Sequence, residues 1–115
     1  MREEEAGGTV ARGRGPLGAG ELGRAPGERA SLVQFSSAFC RPCAATRRIL
    51  AEVAAMVDGV EHIEIDAEGN LELVRALAIA KTPTVLVLDA AGRIVRRAEG
   101  MPRKADVIAA LGAAV

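Results

Sequence analysis

Beyond residue 30 the apolar positions fall into two alternating kinds of run. Residues 31–35 (Ser-Leu-Val-Gln-Phe) have strand composition, and the small Ser36, Ser37 and Ala38 break it. From Cys43 a helical period sets in: Ile49, Leu50, Val53, Met56 and Val57 share one stripe, with Arg47, Arg48 and Glu52 off it. Asp58 and Gly59 end that helix. Residues 60–65 alternate as a second strand, and residues 70–80 form a second helix with Val74, Leu77 and Ala78 inward, until Lys81-Thr82-Pro83 interrupts it. Residues 84–88 (Thr-Val-Leu-Val-Leu) are an unbroken β-branched and apolar run, the mark of a strand covered on both faces. Ala91 and Gly92 make a turn short enough to set residues 94–98 antiparallel to it. Met101 and Pro102 open a last helix with Val107, Ile108 and Leu111 inward. The order β-α-β-α-β-β-α predicts an α/β fold, a central mixed β-sheet flanked by helices on both faces.

The first thirty residues differ. They hold eight of the thirteen Gly and two of the five Pro, with scattered Arg and Glu. Such a segment buries too little apolar surface to offset its ordering entropy. Residues 1–15 are expected to be mostly flexible, with a short edge strand between Thr9 and Arg12. Residues 16–30 read as a loop that Leu17 and Leu22 pin to the core. The chain thus divides into a flexible or loosely packed Gly/Arg/Glu-rich segment, 1–30, and one folded domain, 31–115.

With 115 residues the chain has room for one domain. Fifteen basic and fifteen acidic residues cancel, so no net field draws in nucleic acid or anionic lipid. Trp and Tyr are absent and only Phe35 and Phe39 are aromatic, which removes the stacking platforms of single-strand binders. No apolar run approaches the roughly 18 residues of a membrane span, and MREEEAGG lacks a signal peptide's apolar core. Cytoplasm and cell exterior, the latter with an anchor outside this sequence, both remain open as compartments. Arg far outnumbers Lys and Ala and Gly abound, a composition expected of a GC-rich bacterial genome.

The two cysteines, Cys40 and Cys43, are spaced C-x-x-C. A link between them closes a tiny loop and removes little chain entropy, so a structural staple explains them poorly. Structural zinc wants about four ligands, and the two Cys with the single His62 fall short; no metal is expected. A redox dithiol, opening a helix after a strand, is the reading that remains.

From Leu32 to Leu111 the sequence resembles thioredoxin. Val33-Gln34-Phe35 precedes Phe39-Cys40-Arg41-Pro42-Cys43 as a strand precedes the family's W-C-G-P-C. Ile65-Asp66 resembles the end of the next core strand, Thr82-Pro83-Thr84 the cis-proline loop, Asp89 to Arg93 the hairpin turn, and Gly100 the glycine before the last helix. The family's first strand and helix are not evident in residues 1–30, which places the chain nearer the shorter extracytoplasmic thioredoxin-like reductases. The resemblance implies a thioredoxin-like fold and a protein disulfide reductase with no bound cofactor. Its partners would be disulfide-containing proteins and an electron-donor reductase, with the chain itself a monomer.

The resemblance also implies roles. Cys40, at a helix start where unpaired N–H groups favour negative charge, is the nucleophile, and Cys43, one turn inward, resolves the mixed disulfide. Arg41 replaces the family's Gly; as a cation beside Cys40 it favours the thiolate and a potential more oxidising than thioredoxin's, or else it is merely solvated. Pro42 fits the first helical turn and keeps the thiols close. A cis Pro83 frees the Thr82 backbone to pair with an extended substrate peptide, with Phe39 and Gly100 on the same substrate-binding rim.

Several residues depart from the family. Gln34 stands where thioredoxin has a buried Asp, and His62 where a Lys often lies. Either His62, oriented by Gln34, supplies a base to Cys43, or it is an ordinary half-exposed strand residue and Cys43 loses its proton to water. Phe39 replaces a Trp and loses its N–H donor, and Ser36 and Ser37 make a more open, polar rim. Arg47 and Arg48 read as a solvated helix face or an attraction for acidic partners. Arg96 and Arg97 read as guards of an edge strand. The competing functions are an oxidising or isomerising thiol–disulfide protein, a Cu(I)-binding module on Cys40 and Cys43 (with only Met1, Met56 and Met101 to assist), and an adaptor with a vestigial dithiol.

Overall fold

In a computed structural model, residues 2–4 and 15–115 are described. The elements run β1 (Arg2–Glu4), α1 (Ala19–Leu22), β2 (Ala30–Ser36), α2 (Arg41–Met56), β3 (Val60–Asp66), α3 (Leu71–Ala76), β4 (Thr84–Asp89), β5 (Ile94–Glu99) and α4 (Lys104–Ala114). One sheet has the order β1-β5-β4-β2-β3. β2 pairs with β3 in parallel, and the other neighbours are antiparallel. This is the mixed α/β sheet that the pattern predicts.

Two-residue alternation divides the core between the faces of the sheet. Val33, Phe35, Leu86 and Leu88 pack on one side with Ile63, Leu73, Leu77 and the early Leu17 and Leu22. Ala30, Leu32, Val85 and Val87 pack on the other against Leu50 and Val53 of α2 and Val107 and Leu111 of α4. Both faces being covered, β4 is apolar almost throughout, as its unbroken run anticipates.

Several expectations need correction. The edge strand proposed for Thr9 to Arg12 lies outside the described residues; among those described, Arg2–Glu4 forms a strand paired with β5. The stretch 16–30 is not loop throughout, because α1 makes one turn in it. Leu17 is buried, and its N–H donates to the Gly92 carbonyl at 2.9 Å, holding the segment to the β4–β5 turn. Gly27 passes so close to β3 that a Cβ there would sit 2.7 Å from the Gly59 oxygen and 2.9 Å from the Glu61 nitrogen. Met56 and Ile108 are exposed rather than inward; Cys43 and Thr46 extend the buried stripe of α2 the other way, and Ala110 and Ala114 complete that of α4.

The second helix is shorter than its pattern. It stops at Ala76, and Ala78 turns to a left-handed φ of 53°, exposed rather than inward. That end is met by a side chain twenty residues away. Arg97 is no edge guard: it is 4% exposed, and its guanidinium donates to the carbonyls of Leu77 and Ala78, both at 2.6 Å. Those are carbonyls a helix end leaves without partners, and a guanidinium is well shaped to take two at once. Arg97→Leu is therefore expected to lower stability by about 2 kcal/mol, the scale of hydrogen bonds to a charged group. Arg48→Leu on the exposed face of α2 should cost less than about 0.5 kcal/mol. Urea unfolding of the two variants checks this.

Candidate active site

At the end of β2, residues 37–39 turn the chain outward, and Phe39 completes the turn in the left-handed region at φ 57° with its ring fully in solvent. Cys40 follows as the N-cap of α2 in an extended conformation, and its Sγ accepts the Cys43 N–H at 3.2 Å. Pro42 sits in the first helical turn, where no N–H is required. The turn sets the two cysteine Cα atoms 5.2 Å apart, and they are joined by a disulfide. Cys43 is 2% exposed, whereas Cys40 is half-exposed. Arg41 and Pro42 face solvent between them.

Other sequence-selected residues meet this loop from neighbouring elements. The Thr82–Pro83 bond is cis. Thr82 Oγ1 and Ser37 Oγ share a hydrogen bond of 2.7 Å, which ties the proline loop to the cysteine loop. Gly100 N–H donates to the Pro83 carbonyl at 2.9 Å. Thr82, Pro83 and Gly100 thus form one connected rim.

Behind the dithiol lies a polar cluster. Gln34 is wholly buried, on the face of β2 that α2 covers. Parallel register sets Glu64 directly beside Gln34, and His62 two residues back on the same face. Gln34 Nε2 donates to the Cys43 carbonyl at 2.8 Å and to Ser36 Oγ at 2.9 Å. Ser36 Oγ donates to Glu64 Oε2 at 2.7 Å. Arg47, one turn beyond Cys43, takes Glu64 with two bonds of 2.7 Å. His62 Nε2 lies 3.1 Å from Gln34 Oε1.

The direction of that last bond follows from the others. A carbonyl only accepts, so the amide nitrogen of Gln34 must face Cys43 and its oxygen must face His62. His62 therefore carries hydrogen on Nε2 in either charge state. Burial pushes the His62 pKa down, partly opposed by the Glu64 carboxylate and assisted by Arg47 and Arg24. The hydrogen bonds from Arg47 hold Glu64 below the usual carboxylate range, aided by Ser36 and against the cost of burial. Glu64 was not singled out by the sequence reading, and Ser36, read as a break and part of an open rim, is instead the buried last residue of β2, bonded to Gln34 and Glu64. Only the β2–β3 register reveals that the pairs 34/36 and 62/64 form one polar patch. Arg47, read as solvated, is bound into it.

Among the described residues no group of three or more His, Cys, Asp or Glu is placed to hold a metal ion, and no helix is long and apolar enough to cross a membrane.

Comparison with known proteins agrees with this geometry. The sequence pattern of the family described as Thioredoxin matches residues 25–113. A 58-residue stretch is 36% identical to the human thioredoxin domain-containing protein 2; it covers 50% of this chain but only 10% of that protein. The solved structure of chloroplastic thioredoxin z superposes with a TM-score of 0.66 at 29% identity, over 75% of this chain and 78% of that one. A Schistosoma mansoni thioredoxin pre-protein gives 0.66 at 20% identity over 76% and 81%. Mitochondrial thioredoxin 3 of Saccharomyces cerevisiae gives 0.65 at 13% over 75% and 79%; these last two speak for the fold alone. With its mixed sheet, its cysteine pair at a helix start and a sequence match spanning most of its length, the chain belongs to the thioredoxin family.

Proposed function

We propose that this protein reduces disulfides in other proteins by dithiol exchange. The supporting observation is the asymmetry of the pair: Cys40 is half-exposed at a helix N-cap, while its partner Cys43 is buried one turn in. The helix terminus favours a thiolate at Cys40 once the pair is reduced. The Cys40 thiolate attacks one sulfur of a substrate disulfide, and the other leaves as a thiolate. Cys43 then gives its proton to water and attacks Cys40 Sγ. The substrate's second thiolate departs, and the Cys40–Cys43 disulfide forms. Two electrons pass to the substrate, and an electron-donor reductase returns them. The dithiol carries the electrons itself, with no bound cofactor.

Phe39 offers an apolar contact beside Cys40, and the rim of Thr82, Pro83 and Gly100 offers backbone to an extended substrate segment. In this scheme Cys43 loses its proton to water; the ring atom of His62 that faces Gln34, Nε2, is a donor and offers no base on that side. A second reading, an oxidising or isomerising role, is favoured by the exposed Arg41 cation at the first position of α2, which stabilises the reduced form.

Reduction of insulin by dithiothreitol, followed by turbidity, tests the first reading. The wild type should accelerate it and Cys40→Ser should not. No acceleration by the wild type would end the general-reductase reading, and a measured dithiol potential would then decide for or against the oxidising one.

The half-buried, neutral His62 also has a consequence for stability. Its folded pKa is depressed, so the unfolded chain binds the proton more readily. Its contribution is fully present above the unfolded value of about 6.5 and is lost as pH falls through the lower folded value. Because His62 is the chain's one histidine, the urea midpoint should fall more steeply in wild type than in His62→Gln between about pH 7 and pH 5.5.

A further inference from the structure

The polar cluster behind Cys43 has an outer half to which the exchange scheme assigns no task. We propose that Ser36 and Glu64 are positioning residues for the resolving step, acting through Gln34 on the backbone of Cys43. This rests on the dithiol-exchange reading above.

Every hydrogen bond in this cluster has its direction fixed. Glu64 is ionised, held so by the two-bonded Arg47, and can only accept. The one hydroxyl hydrogen of Ser36 therefore goes to Glu64, at 2.7 Å, and the Ser36 oxygen is left to accept from Gln34. That bond takes one N–H of Gln34, which aims the other at the Cys43 carbonyl at 2.8 Å. His62 closes the remaining side by donating to Gln34 Oε1.

The bracket spans three elements. Gln34 and Ser36 belong to β2, Glu64 to β3, and Arg47 to the same helix as Cys43. The first turn of α2 is thereby held to the sheet at the residue whose sulfur must attack in line on Cys40. Reacting atoms misplaced by about 1 Å lose on the order of a hundredfold in rate. Ser36 and Glu64 touch neither sulfur in this arrangement. Removing either should leave the first attack, by the half-exposed Cys40, as it is, and slow the second.

A chromogenic symmetric disulfide, dithiobis(nitrobenzoate), separates the two steps when mixed with excess reduced protein. Attack by Cys40 breaks the reagent's S–S bond, forms a Cys40 mixed disulfide and releases one nitrothiobenzoate. Attack by Cys43 breaks that mixed disulfide, forms Cys40–Cys43 and releases the second. Ser36→Ala and Glu64→Ala should keep the first phase and slow the second by about fivefold, the scale of one net hydrogen bond. Ser36→Thr, which keeps the hydroxyl, should restore it, and Glu64→Gln, which keeps one acceptor, should fall between.

A second phase within twofold of wild type in both alanine variants overturns the proposal. So does equal slowing of both phases, or a Ser36→Thr no faster than Ser36→Ala. If one alanine variant fails to fold, the other carries the test. Failure of the exchange reading itself looks different: wild type would release no second thiolate, or Cys43→Ser would still release it.

Discussion

A buried amide must find partners for two N–H groups and one carbonyl inside the protein, or bear a cost of about 1–3 kcal/mol for each left unmet. Gln34 meets all three, and in doing so it sets the geometry of the site. Its partners are the first turn of α2, the last residue of β2 and a histidine from β3. The three elements that converge at the cysteine end of the sheet are joined at this one side chain. The apolar stripes of α2 and α4 decide on which face α2 lies, but they do not determine its depth or rotation at the cysteine end. A directional contact does.

The same solution recurs on the opposite face. There the guanidinium of Arg97, on β5, receives the carbonyls of Leu77 and Ala78 where α3 ends. In each case a strand side chain crosses a layer boundary to meet backbone oxygens of a helix. One clamp holds the beginning of a helix and the other the end. Both side chains are buried, where competition from water is weak and a hydrogen bond is electrostatically stronger. The contrast is in charge. Arg97 brings a formal charge into its site, whereas Gln34 is neutral, and the charges of its network sit further out on Glu64 and Arg47.

How much of this was legible in the sequence follows from the range of the interactions. The four principal strands and the stripes of α2 and α4 arise from local periodicity, and the sequence pattern finds them within a residue or so at most ends. Cys40 and Cys43 stand out through spacing alone, and Gln34 and His62 as substitutions against a family pattern. The end of α3 was missed because Arg97, which holds it, is far away in the chain and reads locally as a solvated charge. Met56 and Ile108 satisfy the helical period, yet they lie at the margin of their stripes, where neighbouring layers do not reach. Glu64 was invisible, and Ser36 was taken for rim, for a related reason. Each looks like an ordinary polar strand residue until the parallel register of β2 with β3 sets the pairs side by side.

Reducing a disulfide consumes two electrons and takes up protons on the resulting thiols. A carboxyl beside the inner sulfur would titrate with it, so that electron transfer would also move a proton on or off that acid. Gln34 has no proton to exchange. In this site the uptake of protons that accompanies reduction belongs to the two thiols, with His62 as the one titrating group hydrogen-bonded to the amide behind them. No acid at position 34 therefore adds a break of its own to the way the dithiol's potential follows pH.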